Sequence, residues 1–386
     1  MFIRNPVRTE NVNAVVGGQT VRAPQPRVSS LTRFFCHVSP SLFASVMGTG
    51  IVAALAVRFE EFWPAFRGFG TAVWLLAGLW LLILSLALAG HWILHRCEAV
   101  SIGRNAAVLP FYGTVPMAIL TVGAGTLLYG DAVFGPAACW IAGLLWTLGT
   151  LLGIATAIGV PVIAVLSAHP AEDFTLPCWM LPVVPPMVSA ATGAGLLEHI
   201  DSPHLRLAML TLCYGLFGMA LILALLTLAM IYNRLMRIGA PAATALPTIW
   251  IPLGVIGQSI AAANLLGVQE ISLNVAGSVT SAVLQTVGIG FGVVMLGFTL
   301  FWILFAAALT AQATVIQAPF SLSWWSVVFP IGAVTLGLSA LAEAANFPVL
   351  QFLSLGLYVT LVVIWLAVAS RSVAGRHMAW WRTQNA

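Results

Sequence analysis

Few residues in this sequence have the types and spacing to do chemistry. His91 and His95 stand four apart, the spacing of a metal pair on one helix face, with Cys97 and Glu98 close by. They lie beside Arg96 at the end of an apolar run, and they read as interface anchors. Glu198, His199 and Asp201, followed by Arg206, are the best cluster for an enzyme working at a membrane surface, such as a lipid-modifying transferase. Glu343 ends an apolar run about 28 Å from Trp324 at 1.5 Å per residue, which puts it at an interface in a structural role. Cys36, Cys97, Cys139, Cys178 and Cys213 lack CxxC spacing and read as small core residues. Neutral groups remain: Thr49 and Ser259, with hydroxyls to donate, and Gln258, Asn264 and Gln285, which fit hydrogen bonding between helices and pore lining equally. No metal or cofactor is expected.

The elements that must position these groups are long apolar runs. The chain of 386 residues is 60% hydrophobic and 7% charged, with a mean hydropathy of +1.02, which calls for lipid as the solvent. Runs of about 20 residues or more occur near 41–58, 69–94, 108–128, 134–159, 178–197, 206–232, 249–267, 276–310, 324–342 and 350–370. The sequence therefore predicts an all-α polytopic membrane protein with ten transmembrane helices. Residues 1–35, where proline and arginine interleave without an apolar core, read as a disordered cytoplasmic tail; 36–372 form the membrane domain and 373–386 a short cytoplasmic tail. With both termini inside, twelve of the fifteen arginines are cytoplasmic, and only Arg58, Arg67 and Arg206 fall outside. The loop holding Glu172 and Asp173 is cytoplasmic in this arrangement although it has no arginine. The net charge of +4 is thus topological, and nucleic acid is not an expected partner.

One unit repeats five times. Pro116 is followed by Gly123 and Gly125, Pro186 by Gly193 and Gly195, Pro252 by Ser259 and Ala261, and Pro330 by Gly337 and Ser339; Ser41 stands in the same relation to Gly48 and Gly50. Prolines mark the odd spans and are absent from the cores of the even ones. Interior proline kinks a helix and frees backbone polar groups, which at membrane depth need protein or a water-filled path. Five helical hairpins follow, with kinked odd helices around a central pore and even helices in an outer ring. Repeats that all enter from one side differ from inverted two-fold transporter folds. Freed amides, half-helix N-termini and hydroxyls such as those of Thr49 and Ser259 would then select anions loosely. Phe329 precedes the origin proline of the fifth copy, and no other copy has an aromatic there. A lone phenylalanine in a span usually packs, but a ring at a kink can also close a narrow uncharged pore.

The segments FASVMGTGIVA (Phe43–Ala53), LPVVPP (Leu181–Pro186), WIPLGVIGQ (Trp250–Gln258) and WWSVVFPIG (Trp324–Gly332) resemble the tellurite-resistance/dicarboxylate transporter family. That family includes bacterial tellurite-resistance proteins, fungal malic acid transporters, sulfite efflux pumps and plant slow anion channels. The resemblance covers nearly all the chain after residue 35 and looks closest to the malic acid and sulfite branch. It implies odd helices around a pore in each subunit of a homotrimer and a pore-blocking phenylalanine in span 9. Phe329 is the matching residue, with Phe298 and Phe347 in adjoining segments. Expected pore-lining or kink residues are Gly48, Thr49, Gly50, Pro116, Gly123, Pro186, Gly193, Pro252, Gln258, Ser259 and Pro330. The expected partners are small anions and the lipid bilayer, and the expected location is the plasma membrane. The leading function is passive transport of malate, sulfite or similar anions; a proton-coupled dicarboxylate carrier and a lipid-modifying enzyme are the alternatives. A buried acid would favour the carrier, and none is evident in the spans.

Overall fold

The computed structural model describes residues 14–16, 19–21, 38–103, 105, 107–166, 175–274, 277–315 and 320–384. The expected tail therefore lies mostly outside the described residues, as does the loop with Glu172 and Asp173; within the tail, Ala14–Val16 pairs antiparallel with Gln19–Val21. Ten helices carry the fold: α1 (Phe43–Ala56), α2 (Ala65–Leu94), α3 (Thr114–Tyr129), α4 (Ala137–Leu166), α5 (Val184–Leu196), α6 (Pro203–Ile238), α7 (Pro252–Leu273), α8 (Ser278–Val315), α9 (Trp325–Ala344) and α10 (Pro348–Gln384). Among the described residues nine of these, taken with their flanking turns, are long and apolar enough to cross a membrane. The tenth, α5, has 13 residues and is prolonged by the 3-10 turns Pro177–Met180 and Leu197–His199.

Odd and even helices have different surroundings. In the most apolar stretches of α1, α3, α7 and α9, 67–89% of residues are buried, against 22–33% in the even helices. Nearly all of α5 is buried as well. Each odd helix packs on the even helix that follows it, and the odd helices touch in the cyclic order α1, α3, α5, α7, α9 and back to α1. Small residues permit the close approach that hydrophobic exclusion cannot drive within lipid. The tightest crossing joins α7 to α9, where a Cβ on Gly257 would overlap the backbone of Ala333 and Val334, and one on Gly337 would stand 2.5 Å from the Gly257 carbonyl oxygen.

Aromatic donors on the even helices tie the two layers together. Trp146 on α4 donates to the Ser189 carbonyl on α5 (2.9 Å), Trp302 on α8 to the Ile249 carbonyl before α7 (2.9 Å), and Tyr358 on α10 to the Val52 carbonyl on α1 (3.1 Å). Such rings fill area and satisfy their one polar atom on the inner helix, which suits an apolar layer with little water.

The prolines act differently from the sequence expectation. A 3-10 turn leads into each odd helix: Pro40–Leu42, Leu109–Gly113, Pro177–Met180, Leu246–Trp250 and Leu322–Trp324. Pro116, Pro186 and Pro252 fall in the first α-helical turn that follows, where a missing N–H leaves no helical bond unmade. These three therefore mark helix starts. Only Pro330 of the four origin prolines lies inside its helix. Pro161, beyond the run assigned to span 4, lies inside the even helix α4. The run assigned to span 7 is also longer, because α7 continues to Leu273 and takes in Glu270, a fully buried carboxylate that accepts a 3.0 Å hydrogen bond from the Ser281 hydroxyl. The spans are therefore not free of buried acid.

Candidate functional site

Two cavities lie at the centre of the ring, each lined from all five odd helices or the turns leading into them. The first, toward the helix starts, has about 10 Å³ of space, no more than one water needs. The second, toward the helix ends, has about 170 Å³. Their walls follow one rule of spacing. Residues 44, 47, 51, 54 and 58 line them from the first repeat, 114, 117, 121, 124 and 128 from the second, and 181, 184, 188, 191 and 195 from the third. Alternating steps of three and four keep one helix face toward the centre. The fourth and fifth repeats contribute 251, 254, 258 and 265, and 326, 329 and 336, on the same rule.

Phe329 takes its place in the narrow cavity with Met47, Met117, Val184 and Gly254 at the corresponding position of the other repeats. The side chain is 2% exposed. Its ring lies over Gly254, where an added Cβ would stand 3.6 Å from the ring carbons Cδ1 and Cε1, an ordinary van der Waals contact. Pro330, next along the chain, lines the same cavity with Ser326. As an interior proline it removes the N–H that would bond the Ser326 carbonyl one turn back. The break thus frees an acceptor and no donor.

Gln258 lines the wide cavity and is 2% exposed, and its Oε1 has no hydrogen-bond partner. A buried acceptor left unpaired is costly, and the residue shares the cavity wall with Thr121, Thr192 and Gln269. Those three, with Arg58, are wall residues that the proline register misses. The Thr121 and Thr192 hydroxyls donate to the carbonyls of Ala118 (3.0 Å) and Val188 (2.8 Å) in their own helices.

A family model described as SLAC1, voltage-dependent anion channel, matches residues 37–373. The chain belongs to this anion channel family. Similar proteins include an uncharacterized transporter of Methanocaldococcus jannaschii, 27% identical over 84% of this chain and 90% of the relative. A sulfite efflux pump of Trichophyton rubrum is 23% identical over 86% of this chain and 89% of its own, and one of Candida albicans is 23% identical over 86% and 72%.

In this member of the anion channel family, the other expected site residues serve contacts between helices. Gly48 faces Val328 and Trp325 of α9, and Gly50 faces Thr121 of α3. Gly123 faces Leu145 of α4, and Gly193 faces Cys213 and Met209 of α6. Thr49 donates to the Ser45 carbonyl (2.8 Å), accepts from the Trp365 indole (3.1 Å) and lines a lateral cavity between α1, α2, α9 and α10. Ser259 is fully buried and donates to the Ile256 carbonyl (2.7 Å). Pro116, Pro186 and Pro252 are buried at their helix starts. Asn264 donates to the Ile260 carbonyl in its own helix. The His91 and His95 rings stack with centroids 6.1 Å apart, and the described residues contain no group of three metal-ligating side chains.

Proposed function

We propose that this anion-transport protein passes small oxyanions and C4-dicarboxylates, sulfite and malate among them, along the axis of its inner helices, with Phe329 as the gate. The observation that carries the reading is the seat of the Phe329 ring, within a cavity too small for a hydrated ion and over a glycine. A passage that narrow is closed by sterics and dewetting, and rotation of one ring would open it. The family and the names of the relatives support anion transport and leave no place for an enzyme. The sulfite efflux pumps among those relatives favour sulfite as the first substrate to test. In this reading the protein is a homotrimer with a pathway in each subunit, set in the plasma membrane with both termini cytoplasmic.

The test is a flux screen in proteoliposomes with sulfite, malate, succinate, chloride and nitrate. At least one oxyanion should move down its gradient without accompanying proton movement; absence of flux for all five would overturn the proposal. A proton-coupled carrier gains one supporting observation, the buried Glu270. Its bond to Ser281 directs it toward α8 and away from the axis, so proton flux driven by substrate is not expected.

Gln258→Leu keeps the volume of the wall and removes the carboxamide, whose Nε2 is the donor an anion would use. Flux should fall by about tenfold if one hydrogen bond to the anion, about 1.5 kcal/mol for a charged partner, is lost. Flux measured beside the thermal stability of the variant separates this from misfolding, since a leucine there leaves no buried polar group unpaired.

A further inference from the structure

Among the described residues, Arg58 is the sole charged one in the wall of the wide axial cavity. It follows Ile51 by seven residues on the inward-facing stripe of the first repeat, and Glu343 follows Leu336 by seven on that of the fifth. The two stripes meet there: Arg58 Nη1 and Glu343 Oε2 are 2.7 Å apart. Arg58 also lines a second recess of about 530 Å³, outside the axial cavity, with Glu60, Glu61 and Glu343. One guanidinium thus stands where the axial cavity meets the recess.

The other two arginines of the expected outer face are engaged elsewhere. Arg67 pairs with Glu60 at 3.1 Å, and Arg206 donates to the Ile200 carbonyl at 2.6 and 3.1 Å. Neither lines the axial cavity. The Glu343 side chain is 53% exposed and that of Arg58 24%, so the pair is solvated and exchangeable, and its stabilising effect is small. A carboxylate is itself a small oxyanion, and a guanidinium presents donors matched to carboxylate and similar oxyanions.

We propose that Arg58 is an anion-binding site at this mouth of the axis, which Glu343 occupies as a tethered competitor. A carboxylate or sulfite-like oxyanion leaving the axial cavity takes the guanidinium donors from Glu343. The carboxylate then reclaims them and releases the anion into the acid-lined recess. The assignment rests on the anion-transport reading and adds the place and chemistry of one binding step.

The decisive experiment compares Arg58→Gln, Glu343→Gln and the double variant, using sulfite and malate separately as probes. Half-saturating concentrations come from proteoliposome flux, and shifts in melting temperature with added anion give a readout that needs no transport. Glu343→Gln removes the competitor and should lower the half-saturating concentration by about threefold, and Arg58→Gln should raise it about threefold, a size set by an exposed ion pair. The double variant should follow Arg58→Gln. High salt should shrink the gap between Glu343→Gln and the unsubstituted protein.

A pair with only a structural role would shift both single variants in one direction, and that result overturns the assignment. So does equal anion-induced stabilisation in all four proteins. If the unsubstituted protein moves neither probe, transport of these anions fails as a reading, while opposite shifts in the melting experiment would still uphold the site.

Discussion

Phe329→Ala should raise anion flux through the purified protein by at least about tenfold, the effect of lowering a barrier by about 1.4 kcal/mol. The reasoning is steric. The phenylalanine shares a cavity of about 10 Å³ with side chains from the other four inner helices, and alanine would join that space to the neighbouring cavity of about 170 Å³. Phe329→Leu, which retains most of the bulk without the planar ring, should fall between the two. Single-channel or vesicle-flux recordings with the preferred anion of the screen provide the measurement. Unchanged flux in a variant that melts at the same temperature would remove Phe329 from the gate and leave it as a packing residue. The expected loss of packing works in the other direction: cutting a buried phenylalanine to alanine costs about 3–5 kcal/mol in soluble cores, so a higher flux from a less stable protein would point to the pathway.

The largest effect on folding should come from Gly257→Val. The position lies at the crossing of α7 and α9, where even a Cβ would overlap the backbone of Ala333 and Val334. Backbone cannot swing aside as a side-chain tip can, so the two helices would have to separate. Overpacking a core already costs about 1–3 kcal/mol when side chains can adjust, and at this crossing they cannot. The expected result is a variant that fails to accumulate as folded protein, or one with a markedly lower melting temperature in detergent. Its effect would reach the gate, because Gly254 and Phe329 lie one turn along the same pair of helices. Gly143→Val is the matched control: an added Cβ there meets nothing within 4 Å, and stability should hold.

Much of the architecture was legible because lipid is a demanding solvent. A chain of this hydropathy must close its backbone hydrogen bonds within helices, so the apolar runs gave the ten elements, with ends up to seven residues off in the first nine, while α10 runs on to Gln384, well past the run that ended at 370. Proline and small residues also separated the inner helices from the outer ones. The starts of α3, α5 and α7 were readable in Pro116, Pro186 and Pro252, although their physical role is to begin helices and not to bend them. Glu270 falls outside the seventh apolar run because that run fades before α7 ends; packing against α8, with Ser281 as a hydrogen-bond donor, carries the helix on.

The wall of the axis was much less legible. Of the residues expected there, Phe329, Pro330 and Gln258 line the two cavities, while Thr49, Ser259 and the glycines Gly48, Gly50, Gly123 and Gly193 serve other contacts. In a soluble protein the polar side of a helix marks its outside. Here an inner helix is surrounded by apolar partners on all sides, so composition carries no mark of which face looks inward. Alignment on the prolines registers where helices begin, and the inward stripe keeps no single offset from that origin: it takes in the sixth residue after it in the first, fourth and fifth repeats (Met47, Gln258 and Leu336) and the fifth in the second and third (Thr121 and Ala191).

By itself the sequence determined the solvent, the ten helical elements, their division into inner and outer helices and the family. Those follow from local properties: apolar length, helix-starting residues and short motifs. Only the tertiary structure decided the rotation of each inner helix, and with it the seat of Phe329 over Gly254 and the meeting of Arg58 with Glu343 across 285 residues of chain. Rotation is set by how the side chains of five helices interlock, and in a segment apolar on every side nothing short of that packing distinguishes one face from another.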